Sequence, residues 1–308
     1  MAGVVIGFAI IAVVIGTGYL VGRSGLLGEH AEFVLNRLAF FVLTPALLFT
    51  VLLEADVHAL FSTQLPVAVA AAFTTIALFV AVSRAAWPRG VAETTVGALA
   101  AGYQNAGYLG IPLSAYVLGS AAATTPIILL QLIVLAPIGL TLLDLSTSGR
   151  LSWRRVLLQP VRNPLIIAAA LGLVLNLGGV RLPGPVLQPV ELVGAAAVPV
   201  ILINFGLSLH GTRILQAGPD RRGVVLAAVL KLVAMPVVAW LVAGPLLGLS
   251  GHDLFAAVAL AALPTAQNVF AYAQRYGRGV VLARDVVLVT TLGSIPVLLV
   301  VAALFAPR

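Results

Sequence analysis

The chain has 308 residues, of which 61% are hydrophobic and only 9% are charged, and its mean hydropathy is +1.13. A soluble domain is closer to half apolar and a quarter charged, so this composition predicts an integral membrane protein. The absence of cysteine excludes disulfides, thiolate chemistry and cysteine-ligated metal centres. The formal charge of +7 comes from basic residues dispersed over short loops, which indicates membrane topology rather than nucleic-acid binding.

Ten apolar runs of about twenty residues are long enough to cross a bilayer. In chain order they cover residues 3–22, 33–53, 66–84, 93–118, 124–145, 163–180, 185–209, 223–247, 253–275 and 281–305. The first run lacks a preceding positive segment and is longer than the apolar part of a signal peptide, so we interpret it as a membrane span. The four histidines lie near predicted helix ends, and the sequence predicts no metal site and no cofactor.

The basic residues predict the orientation of these spans. Thirteen arginines lie in loops that follow odd-numbered spans, whereas only Arg181 and Arg308 lie on the other side. Because cytoplasmic loops carry the excess of Lys and Arg, we expect a multi-pass protein of the cytoplasmic (plasma) membrane with both termini outside. Arg37 lies within a span, but only about one turn from its cytoplasmic end, where it can snorkel.

The polar stretch "STSGRLSWRR" divides the chain into two halves with five spans each. An odd number of spans per half gives the halves opposite orientations in the membrane. We therefore predict an all-α membrane protein with a first five-helix repeat over 1–145, a cytoplasmic connecting loop over 146–160 and a second, inverted repeat over 161–308. Pro45 and Pro199, each central in the second span of its half, support the repeat.

The fourth span contains "AGYQNAGYLGIP", in which two amides stand among helix-breaking residues. A break in a membrane helix survives only inside protein or against water, because lipid cannot satisfy the freed backbone groups. We expect the glycines to permit an unwound backbone, Pro112 to restart a helix and the amides to bind a polar ligand. The candidate residues are Gln104, Asn105, Gly107, Gly110 and Pro112.

The ninth span, fourth in its half, carries a matching Gln-Asn pair in "LPTAQNVFAYAQ". Its candidate residues are Pro264, Thr265, Gln267 and Asn268. Two such breaks in inverted halves would cross near the bilayer midplane and expose helix N-termini, which form an anion site. The alternative interpretation is that the glycines mediate close packing and the amides join neighbouring helices.

Lys231 lies near the middle of the eighth span, where a cation costs roughly 2.5–3.5 kcal/mol on insertion scales. Three roles remain open: contact with a substrate anion, replacement of a coupling cation, or pairing with polar groups such as Asn204. Glu191 and Asp144 are acids near span ends, where solvation or pairing is the simpler interpretation of each.

Several motifs in the right order resemble the auxin efflux carrier family, which includes the plant PIN-FORMED carriers and bacterial malate and malonate permeases. The resemblance covers nearly the whole chain. The motifs are Asn105 with Gly110, Ile111, Pro112 and Leu113; "RNP" at Arg162, Asn163 and Pro164; Pro264 in the ninth span with Phe270, Ala273 and Tyr276; Lys231 in the eighth span; and Gln131 in "ILLQ".

This resemblance implies ten transmembrane helices in two inverted five-helix repeats, an architecture related to bile acid symporters. It implies that broken helices four and nine cross at a substrate site, with Asn105, Pro112 and Pro264 at the crossing. It further implies a scaffold of helices one, two, six and seven that carries the contacts of a homodimer. Gln131, Asn163 and Asn204 join Lys231 as candidates for substrate binding or coupling.

We therefore expect a secondary active transporter of a small organic anion, a mono- or dicarboxylate that is auxin-like or malate/malonate-like. Its other partner would be membrane lipid, and no catalytic residue is expected. One alternative is a cation/proton antiporter, which requires acids at mid-span, and the sequence has none there. A second is an intramembrane enzyme, whose paired aspartates, Ser/His set or "HExxH" motif are missing. A third is a non-transporting membrane sensor.

Overall fold

The computed structural model describes residues 2–28, 30–55, 63–148, 163–209 and 220–306. Within these ranges the protein is all-helical. The helices are α1 (Ala2–Ser24), α2 (Ala31–Glu54), α3 (Leu65–Ala86), α4 (Val91–Gly102), α5 (106–116), α6 (Ala121–Thr147), α7 (Pro164–Leu177), α8 (Gly184–Ser208), α9 (Arg221–Leu246), α10 (Gly251–Ala261), α11 (Gln267–Tyr276) and α12 (Val280–Phe305).

Helix length and apolarity make this a multi-pass membrane protein. Six helices, α2, α3, α6, α8, α9 and α12, are each long and apolar enough to cross a bilayer. Each of the ten predicted spans coincides with one helix or, for the fourth and ninth, with a pair of shorter helices. The number of membrane crossings and the inversion of the two halves remain predictions.

The helices pack as two bundles. In the first bundle α1 lies along α8, and α2 lies against α7 and α8. In the second bundle α3, α4, α6, α9, α10 and α12 pack on one another. The α1–α8 contact depends on glycine: a Cβ on Gly18 would lie 2.2 Å from the Ile203 carbonyl oxygen, and one on Gly206 would lie 2.1 Å from that of Ile15. Small residues thus bring two backbones together where lipid supplies no hydrophobic drive.

Wide π-helical turns adjoin prolines inside the helices. Such turns span 39–43, 106–110, 131–135 and 230–234, and in each case a proline follows two residues after the turn ends. Proline lacks an N–H and clashes with the carbonyl four residues earlier, so a widened turn lets the helix continue through it. The helices therefore continue through these prolines and do not end at them.

Ion pairs join helix ends at the side where the sequence places the cytoplasm. Arg89 pairs with Asp220 at 2.5 Å, and Arg278 pairs with Glu93 at 3.3 Å. Both pairs connect segments more than a hundred residues apart, so these charged ends occupy one face, here called the arginine end. Arg150, Arg154, Arg155, Arg162 and Arg213, with most of the predicted connecting loop, lie outside the described residues.

Candidate functional site

The two predicted helix breaks lie side by side. Helix α4 ends at Gly102 and α5 begins at 106, while α10 ends at Ala261 and α11 begins at Gln267. Between them, Gln104 and Thr265 form an antiparallel bridge. The Asn105 N–H donates to the Pro264 carbonyl at 2.7 Å, and the Ala266 N–H donates to the Tyr103 carbonyl at 3.0 Å. Each break thus satisfies backbone groups of the other that lipid could not satisfy.

Side chains close the carbonyl ends of the two helices that lead into the breaks. Gln104 Nε2 donates to the Leu260 carbonyl at the end of α10, at 3.0 Å. Reciprocally, Thr265 Oγ1 donates to the Ala100 carbonyl at the end of α4, at 2.6 Å. These two bonds are here called the cross-brace. Because the last carbonyls of a helix carry its negative dipole end, the cross-brace covers the surface that would attract a cation.

Asn105 stands at the start of α5 and has both a capping role and a free donor. Its side chain is 1% exposed, and its Oδ1 accepts from the Tyr108 N–H at 3.1 Å, which caps the helix. Its Nδ2 is buried and has no acceptor among the described residues. A buried donor without a partner is costly, so we expect a ligand or a water molecule to accept a hydrogen bond from Nδ2.

A cavity of about 50 Å³ lies beside Asn105, between the two bundles. Its walls come from α2, α7 and α8 of the first bundle and from both breaks and α6 of the second. The volume accommodates a few water molecules. The residues that line it are Ala39, Phe40, Thr44, Tyr103, Gln104, Asn105, Gly107, Tyr108, Ile128, Gln131, Leu132, Leu165, Ile201, Ala266 and Asn268.

The cavity brings together five of the predicted site residues, Gln104, Asn105, Gly107, Gln131 and Asn268. Gln131 reaches in from α6, and its Nε2 donates to the Gln104 carbonyl at 2.8 Å. Within the part of the chain that the structure describes, the lining includes four amide side chains and no Asp or Glu. The arrangement offers hydrogen-bond donors in a small cavity whose described lining has no charged side chain, so backbone dipoles supply its electrostatic character.

The sequence matches the family described as "Membrane transport protein" over residues 4–146 and 148–302. The chain belongs to this family of transporters. It is 28% identical to a "Putative malonate transporter" of Rhizobium meliloti (strain 1021), with 90% of this chain and 88% of that protein covered. An "Uncharacterized transporter" of Methanothermobacter thermautotrophicus is 30% identical over 72% of each chain. A "Probable auxin efflux carrier component 5b" of Oryza sativa subsp. japonica is 32% identical over 48% of this chain and 40% of that protein. The resemblance to auxin efflux carriers is thereby confirmed.

In this transporter the glycines and Pro112 have other roles than the sequence predicted. The unwound residues are 103–105, and none of them is glycine. A Cβ on Gly102 would lie 2.9 Å from the Ala72 carbonyl oxygen, and one on Gly110 would lie 2.6 Å from Thr124 Oγ1, so both serve close packing. Gly107 instead borders open space. The helix restarts at Ala106, before Pro112, because a π-helical turn accommodates that proline.

The residues of the ninth span divide between support and cavity. Thr265, besides its bond to Ala100, has its N–H bonded to Thr290 Oγ1 at 3.0 Å, and the Pro264 carbonyl accepts from Asn105. Gln267 Nε2 turns away to Ser208 Oγ at 3.3 Å. Asn268 is therefore the one residue of the predicted Gln267-Asn268 pair that lines the cavity.

Lys231, Asn204 and Asn163 lie outside the cavity wall. Lys231 is fully buried, and its Nζ donates to the Ala261 carbonyl at 3.1 Å and lies 2.8 Å from Met235 Sδ. The suggested pairing of Lys231 with Asn204 is wrong, since Lys231 instead supports the carbonyl end of α10. Asn163 caps α7, because its Oδ1 accepts from the Leu165 N–H at 2.9 Å.

Sequence reasoning missed several residues of the site. Tyr103 and Tyr108 line the cavity on either side of the Gln-Asn pair, and Thr44 reaches it from α2. The Tyr108 hydroxyl donates to Asn36 Oδ1 on α2 and so connects the two bundles. The tyrosines flank the amides in "YQNAGY", and this local spacing is the one signal that pointed to them.

Proposed function

We propose that the protein is a secondary active transporter of a small organic anion, a mono- or dicarboxylate, that works by alternating access around the two breaks. The observation that carries the proposal is the asymmetry of the site. Its helix C-termini are closed by the cross-brace and Lys231, while the N-termini of α5 and α11 and the Asn105 Nδ2 donor lie at the cavity. Donors and positive dipole ends suit a carboxylate.

The same asymmetry argues against a cation/proton antiporter. Such a protein needs free carbonyls or carboxylates at the site to hold the metal and exchange protons. Here the carbonyls of Ala100, Leu260 and Ala261 already accept from protein donors, and no described residue that lines the cavity is acidic. The names of two relatives, a malonate transporter and an auxin efflux carrier, add support for a carboxylate substrate.

The position of the cavity between two bundles supports alternating access. In this mechanism the bundles separate on one side at a time, so that the substrate reaches the cavity from one side of the membrane and leaves on the other. In our proposal helices α4–α5 and α10–α11 act as the crossing helices of ten membrane spans in two inverted repeats, 1–145 and 161–308, with both termini outside the cytoplasmic membrane. The relatives are named as transporters, and we propose no catalytic role.

The test is uptake of radiolabelled malonate, malate, pyruvate, lactate and indole-3-acetate into proteoliposomes, with and without proton and sodium gradients. We compare wild type with Asn105→Ala and Asn105→Asp. Asp keeps the oxygen that caps Tyr108 but places negative charge where a carboxylate would bind. Asn163→Asp is the matched control, because it makes the same change at a helix cap outside the cavity.

We expect saturable uptake of one acid by wild type and by Asn163→Asp. Uptake should fall roughly 100-fold in Asn105→Asp, since a like-charge contact costs several kcal/mol. Equal uptake by Asn105→Asp and wild type would remove the site assignment. If no acid moves under any gradient, the carboxylate assignment fails; binding of an acid without uptake would instead identify a sensor.

A further inference from the structure

A second, larger cavity lies at the arginine end, outside the substrate site. It is an open cleft of about 880 Å³ between the end of α3 and the start of α9. Trp87 and Arg89 line one side, and Arg221 and Arg222 line the other. None of these residues lines the cavity beside Asn105, so the cleft is separate from the proposed transport site.

The charge of the cleft is unbalanced. Arg89 is paired with Asp220, whereas Arg221 and Arg222 form no ion pair or hydrogen bond with any residue in the described ranges. Two cationic side chains therefore remain available at the mouth of the cleft. The indole N–H of Trp87, a donor only, is buried and likewise has no acceptor among the described residues.

The cleft becomes apolar toward the bilayer. Val225 and Val229 follow Arg221 at successive turns of α9, so they lie on the same face of the helix and progressively deeper in the membrane. Both are about half exposed, at 54% and 51%. A soluble anion would leave this apolar wall uncovered, whereas a molecule with an anionic head and an apolar chain would cover both parts.

We propose that this cleft binds an anionic glycerophospholipid from the leaflet at the arginine end. The phosphodiester accepts hydrogen bonds from Arg221 and Arg222, a headgroup oxygen accepts from the Trp87 N–H, and an acyl chain lies along Val225 and Val229. Basic pockets between helices at a membrane surface recognise lipid headgroups in this way. The lipid would bridge α3 and α9, both of the second bundle, and the proposal holds whichever substrate the protein carries.

Trp87 provides a local reporter for this site. In a variant with Trp153→Phe and Trp240→Phe, Trp87 is the sole tryptophan of the chain. We place this protein in phosphatidylcholine nanodiscs that contain a fixed mole fraction of either phosphatidylglycerol or phosphatidylcholine with brominated acyl chains. Bromine quenches nearby indole fluorescence, so the ratio of the two quenching values measures the enrichment of the anionic lipid beside Trp87.

We expect an enrichment of phosphatidylglycerol of about fivefold for each unpaired arginine. Arg221→Gln with Arg222→Gln should bring the ratio to one. Arg23→Gln with Arg275→Gln, which removes two exposed arginines that the sequence places on the same side, should leave it unchanged. Equal quenching by the two lipids in the protein with Trp87 as its sole tryptophan would overturn the proposal. The same loss of phosphatidylglycerol enrichment in both double arginine variants would also overturn it. If the two lipids quench equally and millimolar inorganic phosphate alone shifts the Trp87 emission, the occupant is a soluble anion and the lipid is rejected.

Discussion

The two helix breaks are alike at their carbonyl ends and different at their amide ends. At the carbonyl ends, Gln104 and Thr265 each reach across to the helix that leads into the other break. At the amide ends, α5 is preceded by Asn105, whose side chain caps the helix and leaves an Nδ2 donor with no acceptor among the described residues. By contrast, α11 begins after Ala266, which has no capping side chain.

This difference separates support from recognition. A cross-brace built from a Gln and a Thr holds both breaks by the same type of bond, so it carries no preference for a ligand. Recognition depends on the donors that remain, and among the described residues of the two breaks only Asn105 keeps a buried side-chain N–H donor without an acceptor. We therefore infer that substrate affinity depends chiefly on the first break and that the second completes the pocket.

The largest effect is expected when a carboxylate is introduced at each break in turn. Asn268→Asp should reduce carboxylate uptake by roughly tenfold, against roughly 100-fold for Asn105→Asp, because only Asn105 also loses a buried unpaired donor. Initial uptake rates in proteoliposomes with equal amounts of folded protein measure both values. An equal loss at the two positions would show that the breaks contribute equally to recognition.

Breaking the cross-brace should affect stability at both breaks to a similar degree. Thr265→Val removes the donor to the Ala100 carbonyl, and Gln104→Leu removes the donor to the Leu260 carbonyl. Each leaves a buried carbonyl without that partner and should cost about 1–2 kcal/mol of unfolding free energy. The stabilities of the two variants and of wild type are ranked by their thermal unfolding midpoints in detergent, measured as the fraction of protein recovered by size-exclusion chromatography after heating. A midpoint unchanged from wild type in either variant would contradict a supporting role for that bond.

Two glycines of the first break should respond in opposite ways to the same added methyl group. Gly110→Ala places its Cβ 2.6 Å from Thr124 Oγ1 and should destabilise the fold by about 1 kcal/mol. In Gly107→Ala the new Cβ meets nothing within 4 Å and the helix gains propensity, so the stability should stay the same or rise. Because the methyl group would occupy cavity space, the KM for uptake should rise a few-fold. Thermal midpoints and uptake KM for both variants test this. A destabilised Gly107→Ala variant with unchanged KM would remove Gly107 from the site.

The sequence was sufficient to place the helices and the two breaks. Twenty-residue apolar runs give helix positions directly, and amides among glycines and prolines at membrane depth indicate an interruption there. The roles of single residues were harder to predict because they depend on neighbours distant in the chain. Gly110 packs because Thr124 lies against it, whereas no atom lies within 4 Å of the position that a Cβ on Gly107 would take. Pro112 was misread because a π-helical turn can continue a helix past proline.

The partner of Lys231 could not have been predicted, because it is a backbone carbonyl and backbone groups leave no signature in a sequence. The Ala261 carbonyl is available to it only because α10 ends there. The same reasoning applies to Asn105 Nδ2. The Gln-Asn pair made the break itself predictable, but that the Gln supports a helix and the Asn keeps a free donor required the positions of Leu260 and Tyr108.

The smallest effect is expected at Lys231, where a substitution tests whether the residue supports the fold or recognises the substrate. Methionine has a similar length and no charge, and replacement of a buried charged side chain by an apolar one of similar size is often close to neutral. Lys231→Met should therefore change the unfolding free energy by about 1 kcal/mol at most, through loss of the bond to the Ala261 carbonyl. Since Lys231 does not line the cavity, the uptake KM and its dependence on proton and sodium gradients should match wild type. A tenfold rise in KM would place Lys231 in substrate binding. Loss of the dependence on ion gradients would make Lys231 the coupling group. Either result would contradict the supporting role that the hydrogen bond to the Ala261 carbonyl indicates.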